Sequence, residues 1–210
     1  MPMVIAIDGP AASGKGTLAK RLAAHYGLPH LDTGLLYRAV ALTVIDAGHN
    51  LDDHQAAARA AASLIADRLA DPRLRERAMG EAASRISAVP AVRAALLAWQ
   101  QRFAGGASGA VLDGRDIGTV VCPNAGVKLF ITAAPEERAR RRHLELLRRG
   151  ESATLGAILA DIVARDARDA QRSTAPLKAA ADAVILDTTE LDAEEAFAAA
   201  RAVVDRARPH

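Results

Sequence analysis

Between a short apolar run and the first long helical pattern, the chain reads Gly9-Pro10-Ala11-Ala12-Ser13-Gly14-Lys15-Gly16-Thr17. Glycines here let successive backbone N–H groups curl around an anion, and a helix N-terminus behind them adds partial positive charge. Lys15 is placed to reach the outer oxygens of a polyphosphate. A strand before and a helix after distinguish this run from an ordinary glycine-rich turn. The chemistry implied is binding of nucleotide phosphates by residues 9–17. The residue after the lysine is Gly16 rather than the usual Ser or Thr, so Thr17 is expected to serve a divalent cation through water.

Three further segments carry residues able to do chemistry. Leu31-Asp32-Thr33-Gly34-Leu35-Leu36-Tyr37-Arg38 enters a helix. On its own this segment reads equally as a helix cap at Thr33 and a packed aromatic at Tyr37. Asp113-Gly114-Arg115-Asp116-Ile117-Gly118 follows an apolar strand, where the catalytic residues of an open sheet collect. Asp113 could orient Mg²⁺ or its waters, and the alternative is a surface ion-pair cluster. Arg165, Asp169 and Arg172 are spaced i, i+4, i+7 with Arg168 adjacent, so a continuous helix puts them on one face. That face could equally be solvated and paired with itself. A basic run, Arg138-Ala139-Arg140-Arg141-Arg142, precedes it.

The elements that must position these groups alternate along the chain. Strands are expected at Met3–Ile7, Leu28–Leu31, Ala110–Leu112, Val127–Ile131 and Ala183–Leu186. Helices are expected at Lys15–Tyr26, from Asp32 to about Ala47, over 52–70, from Pro90 to Phe103, and over 135–149, 152–171 and 192–207. Residues 71–88, charged, helix-prone and interrupted by Pro72 and Gly80, read as a surface excursion. Such alternation implies a three-layer α/β fold, a parallel sheet flanked by helices with its binding crevice at the strands' carboxyl ends, and the Gly9–Thr17 run makes it one of the P-loop type.

Composition bounds the rest. At 210 residues, half of them apolar, the chain can bury a sizeable single core. No apolar run approaches the ~20 residues of a membrane span, and Met3–Ile7 is too short for a signal peptide. The lone cysteine, Cys122, precludes an internal disulfide framework and fits a reducing compartment, so a cytoplasmic location is expected. Net charge is +2, with Lys15, Lys20, Lys128 and Lys178 the only lysines among 27 basic residues. One Trp, two Tyr and three Phe, scattered, offer no stacking platform for a nucleic-acid strand.

The Gly14-Lys15-Gly16-Thr17 ending resembles adenylate-kinase-type nucleotide kinases. Together with Leu31–Arg38, Asp113-Gly114-Arg115-Asp116-Ile117-Gly118-Thr119-Val120-Val121 and Arg165-Asp166-Ala167-Arg168-Asp169-Ala170-Gln171-Arg172, it closely resembles the bacterial cytidylate kinases. The matching segments run from residue 4 to about 190. The resemblance implies transfer of the ATP γ-phosphoryl group to CMP or dCMP, with Mg²⁺ as cofactor. It makes Arg38, Arg115 and Arg172 ligands of the acceptor phosphate, with Thr33 and Tyr37 beside the nucleotide. Asp116 reads the base, a carboxylate accepting from cytosine N4–H₂, helped by Ser84 and Arg93. Arg165 and Asp169 touch the ribose. Lys15, Arg115 and Arg172 are the expected catalytic residues.

The implied layout is one kinase domain, with a core of 1–50, 90–134 and 173–210, a reduced acceptor-binding insertion at about 51–89, and a helical lid at about 135–172. The insertion is reduced because 71–88 lacks the strand pattern of longer family members. The expected partners are small-molecule nucleotides, without nucleic acid or membrane, and the expected state is a monomer. An acceptor phosphate is already anionic, so no general base is needed and no His or Cys falls inside the motif blocks. A P-loop switch would need an Asn-Lys-x-Asp-like block, which is absent. UMP/CMP, AMP and shikimate kinases remain as alternatives.

Overall fold

The computed structural model describes residues 2–207. The chain divides into two compact units, Met1–Leu31 with Gly106–His210, and Asp32–Gly105.

The first unit is built on a sheet. Strands β1 (Val4–Asp8), β2 (His30–Asp32), β3 (Ala110–Gly114), β4 (Val127–Thr132) and β5 (Val184–Asp187) stand in the order β2-β3-β1-β4-β5. The β3–β1, β1–β4 and β4–β5 pairs are parallel. β1 and β3 are apolar and almost wholly buried, as strands covered on both faces must be. Helices α1 (Lys15–Tyr26) and, near the C-terminus, Ala193–Ala207 cover one face, where Leu18, Leu22, Ala200 and Val204 pack on Ile5, Ile7, Leu129 and Ile131. Register pairs Asp8 with Gly114 on one side and Phe130 on the other, so the carboxyl ends of the three central strands lie side by side. This is the α/β architecture expected of a P-loop kinase.

The second unit is helical: α2 (Thr33–Asp46), α3 (His54–Ala62), α4 (Arg77–Ile86) and α5 (Pro90–Ala104). Asp32 and Asp53 cap α2 and α3 by accepting from the N–H groups of Gly34 and Ala56. α3 presents Ala56, Ala57, Ala60 and Ala61 to the interior, small residues that let helices approach closely. The helix expected over 52–70 stops at Ala62, and a 3₁₀ turn, Ala66–Ala70, replaces its second half.

The surface excursion expected at 71–88 is a correction. Pro72–Arg75 is a 3₁₀ turn, and α4 carries Gly80 in its interior. Met79, Ala82, Ala83 and Ile86 are buried along one side of α4, at i, i+3, i+4 and i+7. Burial of that apolar stripe outweighs the roughly 1 kcal/mol that a helical glycine costs.

Back in the first unit, α6 (Pro135–Arg148) and α7 (Leu155–Ala170) form a hairpin with a small core of its own, Ala139, Leu146, Ile158 and Ile162. The last helix, Ala193–Ala207, is α8. Among the described residues no helix is long and apolar enough to cross a membrane.

Candidate active site

The loop from Gly9 to Gly14 leaves β1 and enters α1. A Cβ on Gly9 would lie 2.0 Å from the Ile131 carbonyl oxygen, so only glycine lets the loop pass β4 this closely. Gly14 caps α1 at φ +86°, a conformation that glycine adopts without strain. No acidic residue sits in the first turn of α1, so its N-terminal partial charge is left for a ligand. Lys15 Nζ donates to the Pro10 carbonyl at 3.2 Å, which folds the side chain over the loop. The Ser13 hydroxyl is buried in the loop with no hydrogen-bond partner among the described residues, a polar atom suited to a phosphate oxygen.

At the end of β3, Asp113 is buried and one carboxylate oxygen lies 2.7 Å from His30 Nε2. Its other oxygen is 3.6 Å from where a Gly16 Cβ would stand, at the start of α1. A buried carboxylate with one oxygen against His30 and the other toward a phosphate-binding helix start fits the orientation of a hydrated Mg²⁺. Among the described residues no cluster of three or more His, Cys, Asp or Glu forms a metal cage. Mg²⁺ commonly relies on phosphates and water with few protein ligands, so this donor set suits it.

Beyond Asp113 the chain turns sharply through a π-helical turn, Ile117–Val121, that sequence periodicity does not reveal. Asp8 on β1 holds it. The Ile117 and Gly118 N–H groups each donate to an Asp8 carboxylate oxygen at 2.8 Å. Burial raises the Asp8 pKa to about 6, against the lowering effect of those two amides; the Asp116 carboxylate adds to the rise and Lys15 opposes it.

Arg115 and Arg172 are brought together on Asp169, which is 0 % exposed. Arg115 Nε donates to Asp169 Oδ2 at 2.8 Å, Arg172 Nη2 pairs with Oδ1, and Arg165 Nε stands 3.9 Å from Oδ2. α7 ends at Ala170, so Arg172 reaches Asp169 from just beyond the helix rather than along one continuous face. Burial by itself would raise the Asp169 pKa, but the positive charges of Arg115, Arg172 and Arg165 prevail and hold it below the ordinary carboxylate value. The result is a group of arginines arranged by a buried anion.

In the helical unit, Thr33 and Tyr37 are buried in the first turns of α2, and Arg38 donates to the Leu74 carbonyl at 2.7 Å. Arg93 is buried, its guanidinium 5.6 Å from the Tyr37 ring centroid and donating to the Ser87 carbonyl. Ser84 lies inside α4, 2 % exposed, its hydroxyl without a partner among the described residues. Ser87 donates to the Ser84 carbonyl, so Tyr37, Arg93 and the end of α4 adjoin.

The basic run on α6 separates by role. Arg138, 3 % exposed, donates to the Ala133 and Ala11 carbonyls and to Asp166, joining the helical hairpin to the phosphate loop. Arg141 donates to Glu137 and to Thr188 Oγ1, and its Nη1 lies 3.9 Å from the position of a Gly14 Cβ. Arg140 and Arg142 pair with Glu137 and Glu145 near the surface. Sequence reasoning missed Asp8, His30, Lys128 and Thr188. The only signal for Asp8 was an acid closing an apolar strand immediately before the loop.

A family model described as cytidylate kinase matches residues 5–206. The chain is 72 % identical over 207 residues to the cytidylate kinase of Methylobacterium sp. (strain 4-46), covering 99 % of each chain. It is 61 % identical over 205 residues to that of Methylocella silvestris, covering 98 % of this chain and 95 % of the relative. Among solved structures, TT1252 from Thermus thermophilus superposes with a TM-score of 0.50 at 24 % identity, over 99 % of each chain. An uncharacterized protein from Eubacterium ventriosum gives a TM-score of 0.55 at 17 % identity, over 99 % of this chain and 98 % of that one. At such identities the two structures speak for the fold alone.

Proposed function

The chain belongs to the cytidylate kinase family, and on that footing we propose that it transfers the γ-phosphoryl group of ATP to the α-phosphate of CMP or dCMP, releasing ADP and CDP or dCDP. The single observation that carries this reading is the family match across residues 5–206. A loop organised for phosphate and a buried arginine cluster in the same unit support it. We place the enzyme in pyrimidine nucleotide metabolism, in the cytoplasm and as a monomer.

Residues 9–17 hold the donor phosphates, and Lys15 bridges the β and γ oxygens as negative charge shifts between them. Mg²⁺ would be held chiefly by those phosphates, with Asp113 and Thr17 acting through water, and supplies charge neutralisation. Arg115 and Arg172, preset by Asp169, neutralise the acceptor phosphate and the phosphoryl group in flight, so little reorganisation remains at the moment of transfer. Arg38 contributes a further fork to that phosphate, Thr33 and Tyr37 flank the nucleotide, and Arg165 and Asp169 reach the ribose. Asp116 accepts from cytosine N4–H₂, with the orphaned Ser84 hydroxyl and Arg93 completing base recognition. The chemistry needs no general base: the acceptor oxygen is already charged, and in-line placement does most of the work. Residues 135–172 act as the lid that excludes water, the competing acceptor, and 51–89 is the reduced acceptor-side insertion.

A coupled assay of ADP release with CMP, dCMP, UMP, AMP and no acceptor tests the assignment. Rapid turnover with CMP and dCMP, over a low no-acceptor background, is expected. Preference for UMP or AMP would overturn the cytosine reading, and high turnover without acceptor would make the protein an ATPase.

A second test bears on the phosphate ligands. Replacing Arg38, Arg115 or Arg172 by Lys keeps the charge but removes the planar fork. Each change is expected to raise the CMP KM and lower kcat, about tenfold or more in kcat/KM, with the ATP KM little altered. Three variants with wild-type kinetics would show these arginines to be structural.

A further inference from the structure

We propose that Arg138 is a positioning residue of the donor site: from the start of α6 it holds the Ala11 carbonyl, and so turns the Ala12 N–H toward a bound phosphate. The inference rests on the reading that residues 9–17 hold the donor phosphates, and it adds a residue of the helical hairpin to that site.

A cradle of backbone amides binds an anion only if each peptide plane is turned the right way. A trans peptide is planar, so its carbonyl and its N–H point in opposite directions. No cis peptide occurs among the described residues. Fixing a carbonyl therefore aims the amide that follows it. In this loop three carbonyls are engaged by side chains: Pro10 by Lys15 Nζ at 3.2 Å, Ala11 by Arg138 Nη1 at 3.2 Å, and Ser13 by the Thr188 hydroxyl at 3.3 Å. Lys15 belongs to the phosphate-binding run itself. Arg138 and Thr188 come from other elements, α6 and the residue after β5. The Ala12 and Gly14 N–H groups, which follow the Ala11 and Ser13 carbonyls, meet no acceptor among the described residues, and are the amides open to an anion.

The Arg138 guanidinium is buried and directed at protein acceptors on three sides. Nε donates to the Ala133 carbonyl just after β4, Nη1 to Ala11, and Nη2 to Asp166 Oδ2 at 2.6 Å. Three acceptors on three elements fix a planar fork in one orientation, which a lysine ammonium would not reproduce. Asp166 lies on α7, the other helix of the hairpin. Its second oxygen is buried without a hydrogen-bond partner among the described residues, so Arg138 is the group that offsets this carboxylate. A further contact joins the same parts. Ala12 adopts φ +59°, strained for a residue with a Cβ, and packs against the hairpin core of Ala139, Leu146, Ile158 and Ile162. The Ala11–Ala12 peptide is thereby held on both sides, at its carbonyl by Arg138 and beyond its amide by this packing.

The test measures Arg138→Ala, Arg138→Lys, Asp166→Ala and the double alanine variant against ATP and CMP. Arg138→Ala is expected to raise the ATP KM about tenfold or more, while the CMP KM stays within about threefold. Arg138→Lys keeps the charge but not the fork, and should still raise the ATP KM by about threefold or more. Asp166→Ala should do the same by loosening the guanidinium. The double variant should be no more than about twofold worse than Arg138→Ala, because both changes act through one side chain. A merely structural role would weaken both substrates alike.

The amide resonances of the loop give a readout independent of turnover. In isotope-labelled wild-type protein, saturating ADP should move the resonances of both Ala12 and Gly14. In Arg138→Ala the Ala12 response should shrink. Gly14 should keep its own, because its peptide is held through the Ser13 carbonyl by Thr188.

A wild-type ATP KM in folded Arg138→Ala overturns the proposal, as does an equal rise in the KM of both substrates. If ADP binds the wild type but moves neither amide, the reading of residues 9–17 fails and the proposal falls with it. If both amides respond in Arg138→Ala as they do in the wild type, the proposal alone is overturned and the reading stands. Should the Arg138 variants not fold, Asp166→Ala decides, since its side chain is 26 % exposed and its removal leaves no sealed cavity. An unchanged ATP KM in that variant, with Ala12 responding as in the wild type, overturns the proposal.

Discussion

Lys15→Ala is expected to lower phosphoryl transfer by at least ~10³-fold, the loss typical of removing one strong charge contact that matters most in the transition state. In the structure Lys15 opens α1 and is folded back to the Pro10 carbonyl across the loop. Its side chain contributes little to the core, which is built from Ile5, Ile7, Leu18 and Leu22. The variant should therefore fold, and its defect should lie in kcat more than in the KM for either substrate. Steady-state kinetics together with a thermal melt check this. Near-normal turnover in a folded Lys15→Ala protein would mean that residues 9–17 do not hold the donor phosphates.

Asp116→Asn is expected to collapse the preference for CMP over UMP. Cytosine presents a donor at N4 where uracil presents an acceptor at O4. An ionised carboxylate gains a charge-assisted bond with the first and meets lone pairs on the second. Because Asp116 is buried, the mismatch is poorly relieved by solvent, and discrimination in the wild type should reach about 10²-fold in kcat/KM. An asparagine amide can turn to suit either base. The ratio should narrow, mostly through lost CMP activity. Competition between CMP and UMP for the two enzymes measures it directly, and an equal ratio would remove Asp116 from base recognition.

Legibility varied with the range of the interaction that decides each element. Helix α1 begins and ends where its sequence says, at Lys15 and Tyr26, because Gly14 and Gly27 bracket it in left-handed conformations. The helical character of 71–88 is legible but the burial of α4 is not, since charges, Pro72 and Gly80 mask the i, i+3, i+4, i+7 stripe of Met79, Ala82, Ala83 and Ile86. That signal is local but weak, half of it being alanine. The spacing of Arg165, Asp169 and Arg172 pointed to a shared face. It did not show that Arg115, 54 residues before Asp169, completes the cluster.

The sequence by itself determined the α/β class, the phosphate loop and the family, because each is written in contiguous residues whose backbone needs are local. Glycine at a left-handed turn, a lysine at the start of a helix, and apolar runs of strand length act over a few residues. Only the tertiary structure decided that Asp8 caps a turn more than a hundred residues away, that His30 holds Asp113, and that Asp169 gathers Arg115 and Arg172. Those arrangements depend on strand order and register, which bring β1, β3 and the turn after it into contact. A buried carboxylate is stabilised by whichever donors the packing supplies, and no spacing along the chain specifies them.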